Sequence, residues 1–162
     1  MNAKDAICSV IEFGHLLTTY YLEDLGDADL LVRSVPGANH IAWQLGHLVA
    51  GTRQMLMQLG HAAPDLPPGF EAAYKRDTAS CDDPGKFHSK GEYQSLLAQM
   101  KAASLAAVDA TPEDQLDASA PEEMRAYAPT IAAVLMLLGN HLTMHAGQFV
   151  PIRRKLGKPA LF

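Results

Sequence analysis

Four segments of this chain place their apolar residues three or four positions apart, and no segment alternates apolar and polar residues as a half-buried β-strand does. This spacing puts the apolar side chains on one face of an α-helix. The segments cover residues 3–25, 39–59, 92–110 and 130–156. A helix of about twenty residues is about 30 Å long. Four such helices without strands predict an all-α fold, a four-helix bundle.

The segment between the second and third predicted helices, residues 60–91, has a different composition. Its prolines and glycines prevent a long helix, and no strand pattern replaces it. A connection of about thirty residues is longer than an antiparallel helix pair needs. Two interpretations follow: the third helix starts back at the far end of the bundle, or the connection covers a site. The residues concerned are Pro64, Pro67, Pro68, Gly69, Pro84 and Gly85.

Length and charge narrow the classes of function. A chain of 162 residues is expected to form one domain over residues 1–162. The formal charge of -5 and the lack of any cluster of four or more Lys or Arg residues argue against a nucleic-acid partner. The longest apolar stretch, residues 131–138, is too short to cross a bilayer, and acidic residues interrupt the start of the chain where an export signal would be apolar. We therefore expect a cytoplasmic protein with neither nucleic acid nor membrane as partner.

The second and fourth predicted helices carry almost no charge. Arg53 is the only charged residue between positions 38 and 60, and positions 126–152 contain none. Both segments nevertheless contain His, Asn, Gln and Thr. A helix face in water normally carries Lys and Glu, whereas a membrane span excludes so many polar groups. Uncharged polar residues on buried helices therefore indicate an internal polar site.

Histidines on these two helices are the candidate metal ligands. His141 and His145 are one helical turn apart, about 6 Å along the axis, so both imidazoles can reach one divalent transition metal. His47 on the second helix is the candidate third ligand. Three imidazoles without a fourth protein ligand would leave positions open for water or substrate. The alternative is that these histidines are neutral residues of the core.

Neighbouring polar residues are candidates to support such a site. Gln148 lies one turn after His145, and Gln44 lies one turn before His47. Either amide is placed to orient a ligand or a bound water molecule. His40 lies on the same side of the helix as His47 but about 10.5 Å away along the axis, too far to share one ion. We expect His40 at the rim of a pocket or in solvent.

Three further residues bear on the geometry of these two helices. Asn39 is a good N-cap for the second helix. Trp43 is expected to anchor the core. Pro151 falls inside the fourth helix and removes one backbone donor, which predicts a kink just beyond the histidine pair.

The sequence NHIAWQLGHL at residues 39–48, followed by NHLTMHAGQ at 140–148 and RRKLG at 153–157, resembles the DinB/YfiT-like superfamily of bacterial four-helix-bundle metalloproteins. The similarity in helix order covers nearly the whole chain. The resemblance implies that His47, His141 and His145 bind a divalent metal, commonly nickel or zinc. It also implies a homodimer that acts on a small-molecule substrate.

The resemblance leaves the reaction open. Characterised relatives include thiol-dependent transferases that use a low-molecular-weight thiol, and other relatives are described as metal-dependent hydrolases; the resemblance favours transfer. Neither motif contains a Cys or Ser nucleophile, so the sequence identifies no catalytic residue. One alternative is a metal-binding bundle without catalysis that serves as a stress-related binding protein. In the other alternative the histidines bind no metal and are structural.

Overall fold

The computed structural model describes residues 1–160 and contains four long helices and one short helix. They are α1 (Ala3–Leu22), α2 (Ile41–Gln58), the short α3 (Phe70–Ala73), α4 (Lys90–Ala110) and α5 (Ile131–Lys155). The described residues form no β-strand. The predicted all-α four-helix bundle is therefore confirmed, with α3 as an additional single turn inside the long connection.

Contacts along α1 fix the directions of two helices. Near the start of α1, Lys4 Nζ donates to the carbonyl of Asp109 at 2.8 Å, and beyond its end the carbonyl of Leu25 accepts from Lys90 Nζ at 2.7 Å. Helix α4 therefore runs antiparallel to α1. Helix α5 runs parallel to α1, because Gly139 lies against Val10 while the later Arg153 lies against the end of α1.

Helix α2 runs antiparallel to α5, since Gln44 contacts His145 while the later Gly51 contacts the earlier His141. Helices α2 and α4 consequently point in the same direction. After α2 the chain must return along the length of the bundle before α4 begins, and residues 59–89 make this return. The prediction that the third long helix starts at the far end is confirmed.

The helix termini differ from the predicted ones by a few residues. The N-cap of α2 is His40, not Asn39, because His40 Nδ1 accepts the backbone N–H of Trp43 at 3.0 Å. Helix α1 ends at Leu22, before residue 25, where tight turns lead toward Gly26. Helix α5 remains helical through Pro151 to Lys155, so the lost backbone donor does not end the helix. The kink at Pro151 stays a prediction.

Two glycines allow α1 and α5 to cross at close range. A Cβ atom on Gly14 would lie 2.4 Å from the carbonyl oxygen of Gly139. A Cβ atom on Gly139 would lie 2.4 Å from the carbonyl oxygen of Val10 and 2.7 Å from the Cα atom of Ile11. These neighbours are backbone atoms that cannot rotate away. The α1–α5 crossing therefore requires residues without side chains at both positions.

Arg153 fastens the end of α5 to the end of α1. Its side chain is fully buried. Nη1 donates to the carbonyl of Tyr21 at 2.8 Å, and the guanidinium makes a two-pronged ion pair with Asp24. Nε donates to the carbonyl of Pro159 at 3.1 Å. Because a buried guanidinium needs all of these partners, this end of the bundle is closely specified.

Within the described residues, no helix has the length and apolar character needed to cross a bilayer.

Candidate metal centre

The three predicted ligands converge between α2 and α5. One ring nitrogen from each of His47, His141 and His145 lies within 4.8 Å of the other two. The ring centroids are 4.9 to 5.3 Å apart. Nitrogens bound to one tetrahedral ion at 2.1 Å lie about 3.4 Å apart, so small ring rotations bring this set to bonding distance. The structure thus brings together all three residues selected from the sequence.

The three imidazoles are neutral at pH 7. Burial lowers the pKa of His47 below its usual value. Burial, together with the neighbouring His47, lowers the pKa of His141 to about 4. Burial and the two neighbouring histidines lower the pKa of His145 to about 3. Neutral imidazoles keep the lone pairs that a metal needs, and an all-nitrogen donor set suits a divalent transition metal better than Mg²⁺ or Ca²⁺. The residues present therefore fit the implied metal.

Gln44 orients one of the candidate ligands. His145 Nδ1–H donates to Gln44 Oε1 at 2.8 Å, and the Gln44 amide donates in turn to the carbonyl of Asn39 at 2.8 Å. This second bond fixes which end of the amide faces His145. The lone pair of the His145 ring is therefore on Nε2, the nitrogen left for a metal. Gln44 supports His145 across the helix interface and not His47 on its own helix.

Gln148, the other predicted supporting residue, is exposed to solvent. Its side chain makes no hydrogen bond to the three imidazoles among the described residues. A role for Gln148 in the site stays a prediction.

Trp43 was expected to anchor the core, and its side chain is only 5% exposed. It also stacks on a ligand: the Trp43 and His47 rings are 5.1 Å apart between centroids and nearly parallel, at 5°. The indole N–H donates to Thr78 Oγ1 in the long connection at 3.0 Å. Trp43 therefore joins the connection to the His47 imidazole.

Gly46 of α2 makes room for the connection. A Cβ atom on Gly46 would lie 2.1 Å from the ring of Tyr74, so only glycine allows Tyr74 to pack against α2 at this point. A Cβ atom on Gly51 would lie 3.4 Å from the ring of His141, which is an ordinary van der Waals distance. The close approach therefore requires glycine at position 46 and leaves space for a Cβ atom at position 51.

His40 does not lie at a pocket rim or in solvent, so that expectation is wrong. Its side chain is fully buried. Nδ1 accepts from the Trp43 backbone, and Nε2–H donates to the carbonyl of Cys81 at 3.1 Å. Both ring nitrogens are satisfied by neighbouring backbone, which makes burial of the imidazole tolerable. His40 holds the start of α2 against the long connection.

A cavity of about 620 Å³ opens beside His47. One side of α2 forms one wall, and α3 with the segment that follows it forms the other. The connection therefore also covers the cavity, in agreement with the second interpretation of its length. Which of its residues line the cavity could not be predicted, because they follow no periodic pattern. The lining residues are His47, Ala50, Gly51, Arg53, Gln54, Met57, Gln58, Glu71, Tyr74, Lys75 and Arg76.

Comparison with known proteins agrees with this architecture. The sequence profile of the DinB superfamily matches residues 13–149. No curated protein matches the chain in sequence. The chain belongs to the DinB superfamily.

Two solved structures share the fold. A conserved protein from Enterococcus faecalis superimposes with a TM-score of 0.70 at 15% identity, covering 98% of this chain and 99% of that one. YfiT from Bacillus subtilis, described as a probable metal-dependent hydrolase with an unusual four-helix bundle topology, gives a TM-score of 0.65 at 17% identity. That match covers 96% of this chain and 89% of YfiT. At these identities the likeness establishes the fold alone.

Proposed function

We propose that this protein is a metal-dependent enzyme that acts on a small-molecule substrate, with one divalent transition metal, nickel or zinc, held by His47, His141 and His145. The observation that carries the proposal is the convergence of three neutral imidazoles within 4.8 Å of one another beside a cavity. The description of YfiT as a metal-dependent hydrolase supports the same class of function.

In this proposal the nucleophile is a water molecule or a thiol bound to the metal, and not a side chain of the protein. The residues that line the cavity include no Ser, Thr or Cys. A bound divalent metal would supply Lewis acidity, which lowers the pKa of a water molecule or thiol that it ligates. Hydrolysis by water and transfer of a low-molecular-weight thiol are therefore the two candidate reactions, and the family resemblance favours transfer.

The protein's own residues hold and orient the components. Gln44 fixes the His145 tautomer, and Trp43 holds the His47 ring in place. The long connection shields one side of the cavity through Tyr74 and its neighbours. Such preorganisation reduces the reorganisation needed during reaction. A cytoplasmic location and a homodimer stay predictions from the sequence.

Metal content and turnover test the proposal. Protein purified without a histidine tag and supplied with Ni²⁺ or Zn²⁺ should carry one ion per chain by elemental analysis, and His145→Ala should carry far less. His61→Ala is the matched control, because His61 lies outside the cluster and bonds to Thr111 at 3.2 Å. Equal metal in wild type and His145→Ala would contradict the proposal.

Turnover separates the two reactions. A panel of esters and amides without thiol tests hydrolysis, and a low-molecular-weight thiol with an alkylating electrophile tests transfer. Activity that depends on added thiol identifies a transferase. Stoichiometric metal without turnover in either panel would instead favour the non-catalytic metal-binding protein.

A further inference from the structure

The cavity beside His47 has a charge opposite to that of the whole protein. The chain carries a formal charge of -5. The cavity lining nevertheless contains three cationic side chains, Arg53, Lys75 and Arg76, and a single carboxylate, Glu71. A cleft lined by an excess of positive charge raises the local concentration of anionic ligands.

The single carboxylate in the lining is already paired. Arg53 Nη1 lies 2.7 Å from Glu71 Oε1, and Arg53 Nε donates to the carbonyl of Pro64 at 3.0 Å. Arg53 and Glu71 therefore neutralise each other across the cavity. Lys75 and Arg76 form no ion pair with any carboxylate of the described residues. These two cations remain available to a ligand.

A metal at the histidine cluster would add positive charge to the same cavity, because His47 is one of its lining residues. The three candidate metal ligands are neutral imidazoles, with no carboxylate in the cluster. A divalent ion held by these residues would keep its full charge, which would favour an anionic donor beside them. Apart from the paired Arg53 and Glu71, the rest of the lining is uncharged and includes the amides of Gln54 and Gln58 and the apolar side chains of Ala50 and Met57.

From this arrangement we infer that the cavity takes a small organic dianion, with one anionic group at the histidine cluster and a second, a carboxylate, at Lys75 and Arg76. The volume of about 620 Å³ suits a small metabolite. The contact at the histidine cluster rests on the proposed function, because it needs a bound metal. The contact with Lys75 and Arg76 does not, because both side chains belong to the protein. It assigns a substrate class to the site.

Matched pairs of acids test the inference by isothermal titration calorimetry. Succinate, glutarate and adipate are compared with butyrate, valerate and hexanoate, which have the same chain lengths but one carboxylate. At low salt the metal-loaded wild type should bind at least one dicarboxylate about tenfold more tightly than the monocarboxylate of the same chain length. This preference should shrink as ionic strength rises, because salt screens exposed charges.

The variant Lys75→Gln/Arg76→Gln should lose most of this preference. The control Lys86→Gln/Arg154→Gln removes the same two charges from exposed positions outside the cavity and should keep it. Equal binding of both acids at every length in wild type would overturn the inference. A preference that persists in Lys75→Gln/Arg76→Gln, or falls equally in the control, would overturn it too.

Metal content, measured on the same samples, separates this inference from the proposed function. If wild type takes up one ion per chain and shows no preference for dicarboxylates, the inference fails and the metal site stands. If wild type takes up no metal, the proposed function fails. In that case adipate binding that is weakened about fivefold by Lys75→Gln/Arg76→Gln, and unchanged in the control, still supports an anion site at the two cations.

Discussion

Replacing Gly139 by alanine tests the close crossing of α1 and α5. The new Cβ atom would lie 2.4 Å from the carbonyl oxygen of Val10, 2.6 Å from its carbonyl carbon and 2.7 Å from Ile11 Cα. An ordinary contact is about 1 Å longer, so the two helices must separate by about that much. A gap of this size forfeits a quarter to a half of each van der Waals contact along the interface.

The expected cost follows from this separation. Overpacking of a well-packed interface costs about 1–3 kcal/mol, and the rigid backbone neighbours place Gly139→Ala near the top of that range. Alanine regains up to about 1 kcal/mol of helix propensity. We therefore expect a net loss of about 2 kcal/mol in the free energy of unfolding, which lowers the melting temperature by about 4–8 °C for a domain of this size.

Gly147→Ala on the same helix is the matched control. Nothing lies within 4 Å of a Cβ atom at that position, so alanine should stabilise the protein by up to about 1 kcal/mol. Urea unfolding followed by circular dichroism measures the free energy of unfolding of both variants by linear extrapolation to zero urea. Equal stability of Gly139→Ala and Gly147→Ala would refute the steric account of the crossing.

Three further predictions address the remaining contacts. Gln44→Leu should weaken metal binding about tenfold or more, because His145 loses the partner that fixes its tautomer, whereas Gln148→Leu should change affinity less than twofold in the same competition with a chelator. Asp24→Ala should lower the midpoint of urea unfolding, because the fully buried guanidinium of Arg153 loses its charge partner; an unchanged midpoint would contradict this. Burial lowers the pKa of His15 to about 4, so the unfolded chain binds more protons there and stability falls as the pH drops from about 6.5 toward 4. Metal-free wild type should lose about 3 kcal/mol more than His15→Leu over that interval, and parallel stability curves would refute the assignment.

The sequence was sufficient to predict the helices and the three metal-ligand candidates. Apolar spacing located every long helix, because the helical period applies regardless of tertiary contacts. The lack of charge on α2 and α5 marked the faces that meet at the site. The spacing of His141 and His145 was sufficient to predict that the two imidazoles lie together, because residues one turn apart are neighbours on any α-helix.

Contacts between distant segments could not be predicted in this way. His40 is buried because the carbonyl of Cys81, in the long connection, accepts its proton. Trp43 reaches Thr78 by the same route, and Arg153 is buried only because Asp24 lies across the helix interface. None of these partners has a fixed spacing along the chain. The contacts of residues in the long connection therefore depend on its folded path, which no periodic pattern in the sequence predicts.

The stacking of Trp43 on His47 has an optical consequence. Trp43 is the only tryptophan of the chain, so all indole emission comes from a ring 5.1 Å from a candidate ligand. An open-shell ion such as Ni²⁺ quenches a fluorophore at this range by electronic deactivation, whereas closed-shell Zn²⁺ has no d–d states to accept the energy. Titrations followed by Trp43 emission would therefore report occupancy of the proposed site and distinguish Ni²⁺ from Zn²⁺ there.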